Sequence, residues 1–235
     1  MRAPRLTVGA FIDETDDTKF AESLRGVGHD VTTLHDPEEA ADYELIVLSV
    51  RETDLPDLVR QLSTQARRGQ IYLHTCLGYG VQVLDDVETH GAVVAAAHPL
   101  TPELWVTAAT DELGETIVEL LVGELGGASR AVPDTQRARL AAARTHLSFV
   151  ETVRRDATTM LAEALGNVET AREIVDAGER RHGLLADVDG PGGVDAQHAG
   201  IEDPGMARVF RELVRRTAQQ KSAHDAELWA IQKET

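Results

Sequence analysis

Three short stretches place titratable or nucleophilic side chains where apolar runs give way to loops: Ser49-Val50-Arg51, His74-Thr75-Cys76 and His98-Pro99. Imidazole titrates near neutral pH, so His74 and His98 are candidates to polarise a substrate or move a proton. The competing role for each is a half-buried ring bonded to a backbone carbonyl. Arg51 carries a guanidinium fork suited to a phosphate or a carboxylate, and equally to a surface ion pair. Cys76 has nucleophile chemistry, but no base stands at a telling spacing, and a lone cysteine usually packs as a small apolar residue. His74, Cys76 and His98, with His146 as a fourth ligand, would make an N/S metal set. His-x-Cys is not a recognised zinc spacing, so no metal site is expected.

The elements that must carry these residues follow from periodicity. Leu6–Ile12, Asp30–Leu34, Leu45–Val50, Gln70–His74, Ala92–Ala97 and Trp105–Ala108 are runs of strand length. Between them Phe20–Val27, Glu38–Asp42, Leu55–Ala66, Val81–His90 and Leu113–Leu125 have helical spacing, and Gly28 stands where a left-handed helix cap belongs. Alternation of this kind implies βαβ units, a parallel sheet and right-handed crossovers. After Pro133 the pattern turns helical: residues 135–165, Val168–Arg181 and Met206–Ile231, with a Gly/Pro-rich loop from Asp187 to Gly200. The expected fold is therefore α/β, a Rossmann-like parallel sheet flanked by helices over residues 1–133. An all-α C-terminal domain follows over residues 134–235. Ligands of such sheets sit beyond the carboxyl ends of the strands, so the three stretches above should line one crevice.

Bulk properties narrow the partners. The net charge is −17, concentrated in residues 1–130, where nine basic and 23 acidic side chains leave −14. So acidic a surface repels phosphate backbones, and no nucleic-acid partner is expected. One cysteine excludes an internal disulfide framework and suits a reducing compartment. The N-terminus lacks a signal-like apolar stretch, and the longest small-apolar run, Ala92–Ala97, is far below the ~20 residues of a membrane span. A cytoplasmic protein without a membrane partner is expected. Trp105 and Trp229 fall outside the crevice and are expected as packing or interface anchors.

With that layout the chain resembles the Rossmann-like NAD(P)-dependent oxidoreductases that include ketopantoate reductase, pyrroline-5-carboxylate reductase and prephenate dehydrogenase. Four segments carry the likeness: Gly28-His29-Asp30-Val31, His74-Thr75-Cys76-Leu77-Gly78, His98-Pro99-Leu100, and Arg139-Leu140-Ala141-Ala142-Ala143, with Asp189-Gly190-Pro191 as a fainter echo. Within the group it looks closest to Rossmann proteins with a helical C-terminal domain, of the 6-phosphogluconate dehydrogenase C-terminal kind. The resemblance implies NAD or NADP as cofactor and a small carbonyl or imine metabolite as substrate. It also implies a homodimer built by the helical tail. It places a catalytic polar residue on the first long C-terminal helix, where this sequence offers His146 and Ser148 rather than Lys or Asn. The cofactor would meet Phe11, Ile12 and Asp13 after the first strand, and Ser49, Val50, Arg51 and Thr75 in the crevice. Asp36, roughly 20 residues past the first loop, stands where an acidic residue bonds an NAD ribose.

The sequence departs from the family at the phosphate-binding turn. Where relatives carry G-x-G-x-x-G, this chain has Ile12, Glu14 and Asp17. Those glycines make a tight turn, let backbone approach the pyrophosphate, and pack helix on strand. Here Asp13, Glu14, Asp16 and Asp17 crowd the helix start instead, where the phosphates would lie. Two like charges about 4 Å apart cost on the order of 1 kcal/mol in water and about 4 kcal/mol near a protein surface. A few such pairs offset the roughly 8 kcal/mol of micromolar binding. The same carboxylates cap and charge-stabilise the helix by roughly 0.3–1 kcal/mol each, and carboxylate oxygens also suit a hard cation. Two functions follow: an oxidoreductase with a degenerate loop, or a non-catalytic protein that kept the scaffold and binds a small molecule or regulates a partner.

Overall fold

The structure, a computed structural model, describes residues 5–13, 18–179 and 190–233. It divides into two compact units, residues 1–146 and 147–235.

In the first unit seven strands form one sheet in the order β2-β1-β3-β4-β5-β6-β7. They are β1 (Thr7–Ile12), β2 (Asp30–Thr33), β3 (Leu45–Ser49), β4 (Ile71–His74), β5 (Val93–Thr101), β6 (Leu104–Ala109) and β7 (Ala128–Ala131). The pairs from β2 through β5 are parallel. All five residues of β3 are buried, because a central strand between two layers has no solvent face. Two cores result. Val8, Ala10, Leu45, Val47 and Leu73 pack on one side beneath helices α1 (Phe20–Gly26) and α4 (Glu112–Glu124). Ile46, Leu48 and Tyr72 pack on the other, beneath α2 (Leu55–Leu62) and the short α3 (Asp85–Glu88). Trp105 sits edge-on to Phe20 with ring centroids 5.4 Å apart, a packing role.

The all-parallel expectation fails at one edge. β5 and β6 form an antiparallel hairpin, since two or three residues cannot make the crossover that a parallel return needs. β7, parallel to β6, was not anticipated from the sequence: Ala-Ser-Arg-Ala has little strand propensity and gains its place through pairing with β6. β5 also runs further than expected, so His98 lies within the strand, not beyond it. Gly28 adopts φ +102 at the end of α1, as its position implies. Val81–His90 is not one helix but a 3-10 turn (Val81–Leu84) followed by α3, and α2 stops at Leu62.

Helix α5 (Asp134–Leu165) begins in the first unit. The second unit holds α6 (Val168–Glu179), α7 (Pro191–Ala199), α8 (Pro204–Lys221) and α9 (His224–Gln232). The Gly/Pro-rich segment therefore contains a helix, opened by Pro191 at its first turn. The long final helix is broken where Ser222 turns left-handed (φ 56), letting α9 fold back on α8. Val194, Val214, Ala218 and Trp229 make that unit's core. The Trp229 indole N–H donates to Asp195 Oδ1 at 3.0 Å. Among the described residues no helix is long and apolar enough to cross a membrane.

A crevice at the carboxyl ends of β3, β4 and β5

In-register parallel pairing dictates which side chains share a face. Leu48 pairs with His74, and His74 with Ala96, so His74 and His98 project from the same face of adjacent strands, two residues apart in register. Beyond the ends of β3 and β4, and beside β5 at His98, lies a cavity of about 350 Å³ within the first unit. Ser49, Arg51, Thr75, Cys76, His98 and Arg144 are among its lining residues, so the expected crevice exists and residues from all three stretches reach it.

A hydrogen-bonded lattice holds its floor. The Thr75 N–H donates to the Leu48 carbonyl at 3.1 Å and its hydroxyl to Ser49 Oγ at 3.2 Å. The Cys76 thiol donates to the Val50 carbonyl at 3.2 Å. The Thr75 carbonyl lies 2.6 Å from His98 Nδ1, so that nitrogen carries the ring proton as donor. Nε2 of the neutral ring is then an acceptor, and the Arg144 guanidinium meets it. The ring is thus fixed in one tautomer, with an arginine as the group that carries donors onward into the cavity.

Arg51 is exposed and is pulled further toward its charged form by Asp54, through a hydrogen bond and its charge, and by Asp13. Its guanidinium lies 2.7 Å from Asp54 and 3.5 Å from Asp13. Glu52, on the same loop, accepts from the Gly78 N–H at 2.6 Å, clasping the loop after β4 to the loop after β3.

Other expected residues go elsewhere. His74 is wholly buried, does not line the cavity, and donates from Nε2 to the Gly80 carbonyl at 3.2 Å. Burial, and then the charge of Arg137, push its pKa down to about 3, so the ring is neutral. His146 ends the first unit outside the cavity lining, and Ser148 belongs to the second unit. Phe11 is buried in the core on the α2 face, whereas Ile12 is 38% exposed. Asp36 is spent as a helix cap: its side chain accepts from the Glu38 N–H at 3.0 Å while Glu39 reaches back to its own N–H. Of the acidic loop only Asp13 lies among the described residues; Glu14, Asp16 and Asp17 do not. Among the described residues no three His, Cys, Asp or Glu side chains gather to hold a metal ion.

Sequence reasoning passed over Arg137 and Arg144. The signal was present: Arg137, Ala141, Arg144 and Thr145 recur at helical spacing, two long cations on a face otherwise made of small residues. Amphipathic patterning reads cations as solvent-facing, and for Arg137, which is fully buried, that reading is wrong.

The fit to a dinucleotide is one-sided. On the β3–β4 side, the Ser49 hydroxyl and the Arg51 guanidinium are donors suited to ribose and phosphate oxygens, and the Thr75 hydroxyl, whose proton goes to Ser49 Oγ, offers an acceptor. On the β1–α1 side, among the described residues, two backbone donors are already used. Asp13 N–H donates to the Ser49 carbonyl at 2.9 Å, and Phe20 N–H points to Thr18 Oγ1 at 3.4 Å.

Comparison with known proteins agrees with this architecture. Residues 28–99 match the Rossmann-like domain model, and residues 133–233 match the 6-phosphogluconate dehydrogenase C-terminal domain-like model. No curated protein matches the chain in sequence. Among solved structures, a Bacteroides fragilis protein proposed to be an NADP oxidoreductase is 15% identical, with 92% of this chain and 98% of that one covered at TM-score 0.73. A variant imine reductase from Myxococcus stipitatus in complex with NAD+ is 13% identical, covering 95% and 96% at TM-score 0.67. Pyrroline-5-carboxylate reductase from Coxiella burnetii is 14% identical, covering 98% and 97% at TM-score 0.57. At such identity the likeness is one of fold.

Proposed function

We propose that this chain, a Rossmann-like domain followed by a 6-phosphogluconate dehydrogenase C-terminal-like domain, is an oxidoreductase-like protein that takes NAD or NADP and a small carbonyl or imine metabolite. The observation that carries the proposal is the Thr75–His98–Arg144 chain of hydrogen bonds at the mouth of the crevice. In this reading Ser49, Arg51 and Thr75 hold the dinucleotide from the β3–β4 side, in place of the missing glycine turn. A bound nicotinamide supplies a hydride. Arg144, oriented by His98, donates hydrogen bonds to the substrate heteroatom as negative charge develops on it, and a proton from solvent completes the alcohol or amine. Fluorescence titration with NADH and NADPH tests the reading. Saturation below about 100 μM, corresponding to roughly 5–6 kcal/mol, is expected, and no binding at millimolar concentration would remove it.

The engaged amides of Asp13 and Phe20 favour a second reading, a non-catalytic protein that keeps the crevice for a small ligand and has lost the dinucleotide. Failure of both nucleotides to bind, with retention of small polar metabolites in the cavity, would select it. We also propose a homodimer. Its support is apolar surface in the second unit, where Leu147 is 73% and Val150 53% exposed on α5. Light scattering at micromolar concentration checks it: a single-chain mass would end the proposal. A single cysteine, which has no second cysteine in the chain to pair with, supports a cytoplasmic setting.

A further inference from the structure

A second cavity, of about 610 Å³, opens in the first unit where β6 and β7 end against α4 and the start of α5. It shares no lining residue with the crevice. Glu115 and Glu119 on α4 and Asp134 on α5 supply three carboxylates, and the described residues that line it include no lysine, arginine or histidine. Glu115 and Glu119 stand one helical turn apart, where like charges destabilise a helix. Neither carboxylate has a hydrogen bond or ion pair among the described residues. One Asp134 oxygen accepts from the Gln82 N–H at 3.2 Å, and the carboxylate also acts on the charge of buried Arg137. Thr107 is an independent sign. Side chains alternate along a strand, so Thr107 stands on the face of β6 that carries Trp105, the face packed under α4. It is 3% exposed and lines the cavity, yet its hydroxyl makes no hydrogen bond among the described residues. A buried hydroxyl left without a partner carries a cost that a ligand donor removes.

We propose that this cavity binds a short aliphatic diamine. Charge selects a cation, and the distribution of charge selects its shape. Among the described residues no three carboxylate, histidine or cysteine side chains gather at a point where a metal ion would sit. The negative charge is instead spread over walls built by two helices, which suits a cation with two separated ammonium groups. One ammonium meets Glu115 and Glu119 and donates an N–H to the Thr107 hydroxyl, and the other meets Asp134. The methylene chain lies against the apolar wall that Val118 and Val132 supply. The crevice, with Arg51 and Arg144 in its lining, offers the opposite charge and repels an amine. A chain of net charge −17 also draws cations to its surface at large, so the test separates the cavity from the surface.

The probe is 1,4-diaminobutane, titrated calorimetrically into the full chain at about 0.1 M salt, where exposed charges more than ~10 Å apart are screened. Saturation below about 1 mM is expected, with n-butylamine, which lacks the second ammonium, about tenfold weaker. Glu115→Gln with Glu119→Gln should weaken the diamine by about tenfold or more. Both side chains are exposed, so these variants keep the fold. Thr107→Val should weaken binding severalfold, and Thr107→Ser, which keeps the hydroxyl, should retain it. Glu22→Gln with Glu169→Gln removes the same charge from exposed positions outside the cavity lining and should leave affinity unchanged. No saturation up to about 10 mM overturns the proposal. So does n-butylamine binding as tightly as the diamine, or a Thr107→Val protein that binds as the wild type does. Equal losses in the two glutamate pairs also overturn it, since they would mean attraction to the acidic surface as a whole. Nucleotide is absent from every arm, so failure here leaves the nicotinamide reading standing, and the reverse.

Discussion

His98 and Arg144 meet ring nitrogen to guanidinium, and the opposite ring nitrogen lies 2.6 Å from the Thr75 carbonyl. Thr75, in the loop after β4, and a helix residue are thereby tied through an imidazole that has no proton to spare on the cavity side. The arginine is left as the donor a ligand meets. Replacing it by Ala should weaken ligand binding by about tenfold to a hundredfold, the usual worth of a charged hydrogen bond. Arg144→Lys should recover part of that, since a point charge replaces a fork. Isothermal titration with the tightest nucleotide or metabolite found is the check; unchanged affinity in both variants would contradict the assignment.

His74 makes a prediction about acid. Its folded pKa is pushed from 6.5 down to about 3, mainly by burial and next by Arg137. The unfolded chain therefore binds the proton first, and the stabilising contribution is complete above pH 6.5 and lost progressively as pH falls from there toward 3. The slope approaches about 1.4 kcal/mol per pH unit. Urea midpoints should fall more steeply for wild type than for His74→Gln between about pH 7 and about pH 4. Parallel curves would refute this.

At the opposite edge of the sheet His29 is buried between two elements. Its Nδ1 accepts from the Leu6 N–H at 3.2 Å, and its Nε2 lies 3.0 Å from Glu124 at the end of α4. His29→Leu should cost about 1–3 kcal/mol by stranding buried polar partners. Ligand affinity should not move, because the crevice lies beyond the other ends of the strands. Paired denaturation and binding measurements test both halves.

In the second unit, Trp229 fills the core and also donates to Asp195. Trp229→Phe should cost about 1 kcal/mol for the lost hydrogen bond, and Trp229→Ala about 3–5 kcal/mol for the cavity. Melting curves of the two variants should separate accordingly; equal losses would mean that the indole N–H carries the whole effect.

The parallel core of the sheet was legible because β3 and its neighbours are apolar on both faces and separated by helix-length segments. The crevice was legible for the same reason: strand ends are where such sheets open. What escaped has local causes. β7 has no hydrophobic run of its own and exists through its neighbour. The break at Ser222 hides inside a continuous helical period, since a single left-handed residue leaves the spacing of apolar side chains almost intact. His74 and His98 looked equivalent, yet one is sealed in and the other lines the cavity. That difference is made by Gly80, which leads into a 3-10 turn just past His74, and by α5, which is distant in sequence from both. Arg137 was invisible because burying a lone cation contradicts the rule by which helices are read.

Cys76 is the sole thiol in 235 residues, and it lies on the cavity wall at 5% exposure with its hydrogen directed to a carbonyl. The molecule thus carries a single-site chemical reporter at the place of greatest interest. A maleimide or iodoacetamide can attach nowhere else by thiol chemistry, and its rate of attachment measures how often that wall opens. Any compound that settles in the crevice should slow labelling in proportion to its occupancy, which turns one mass-spectrometric time course into a ligand screen requiring no knowledge of the reaction.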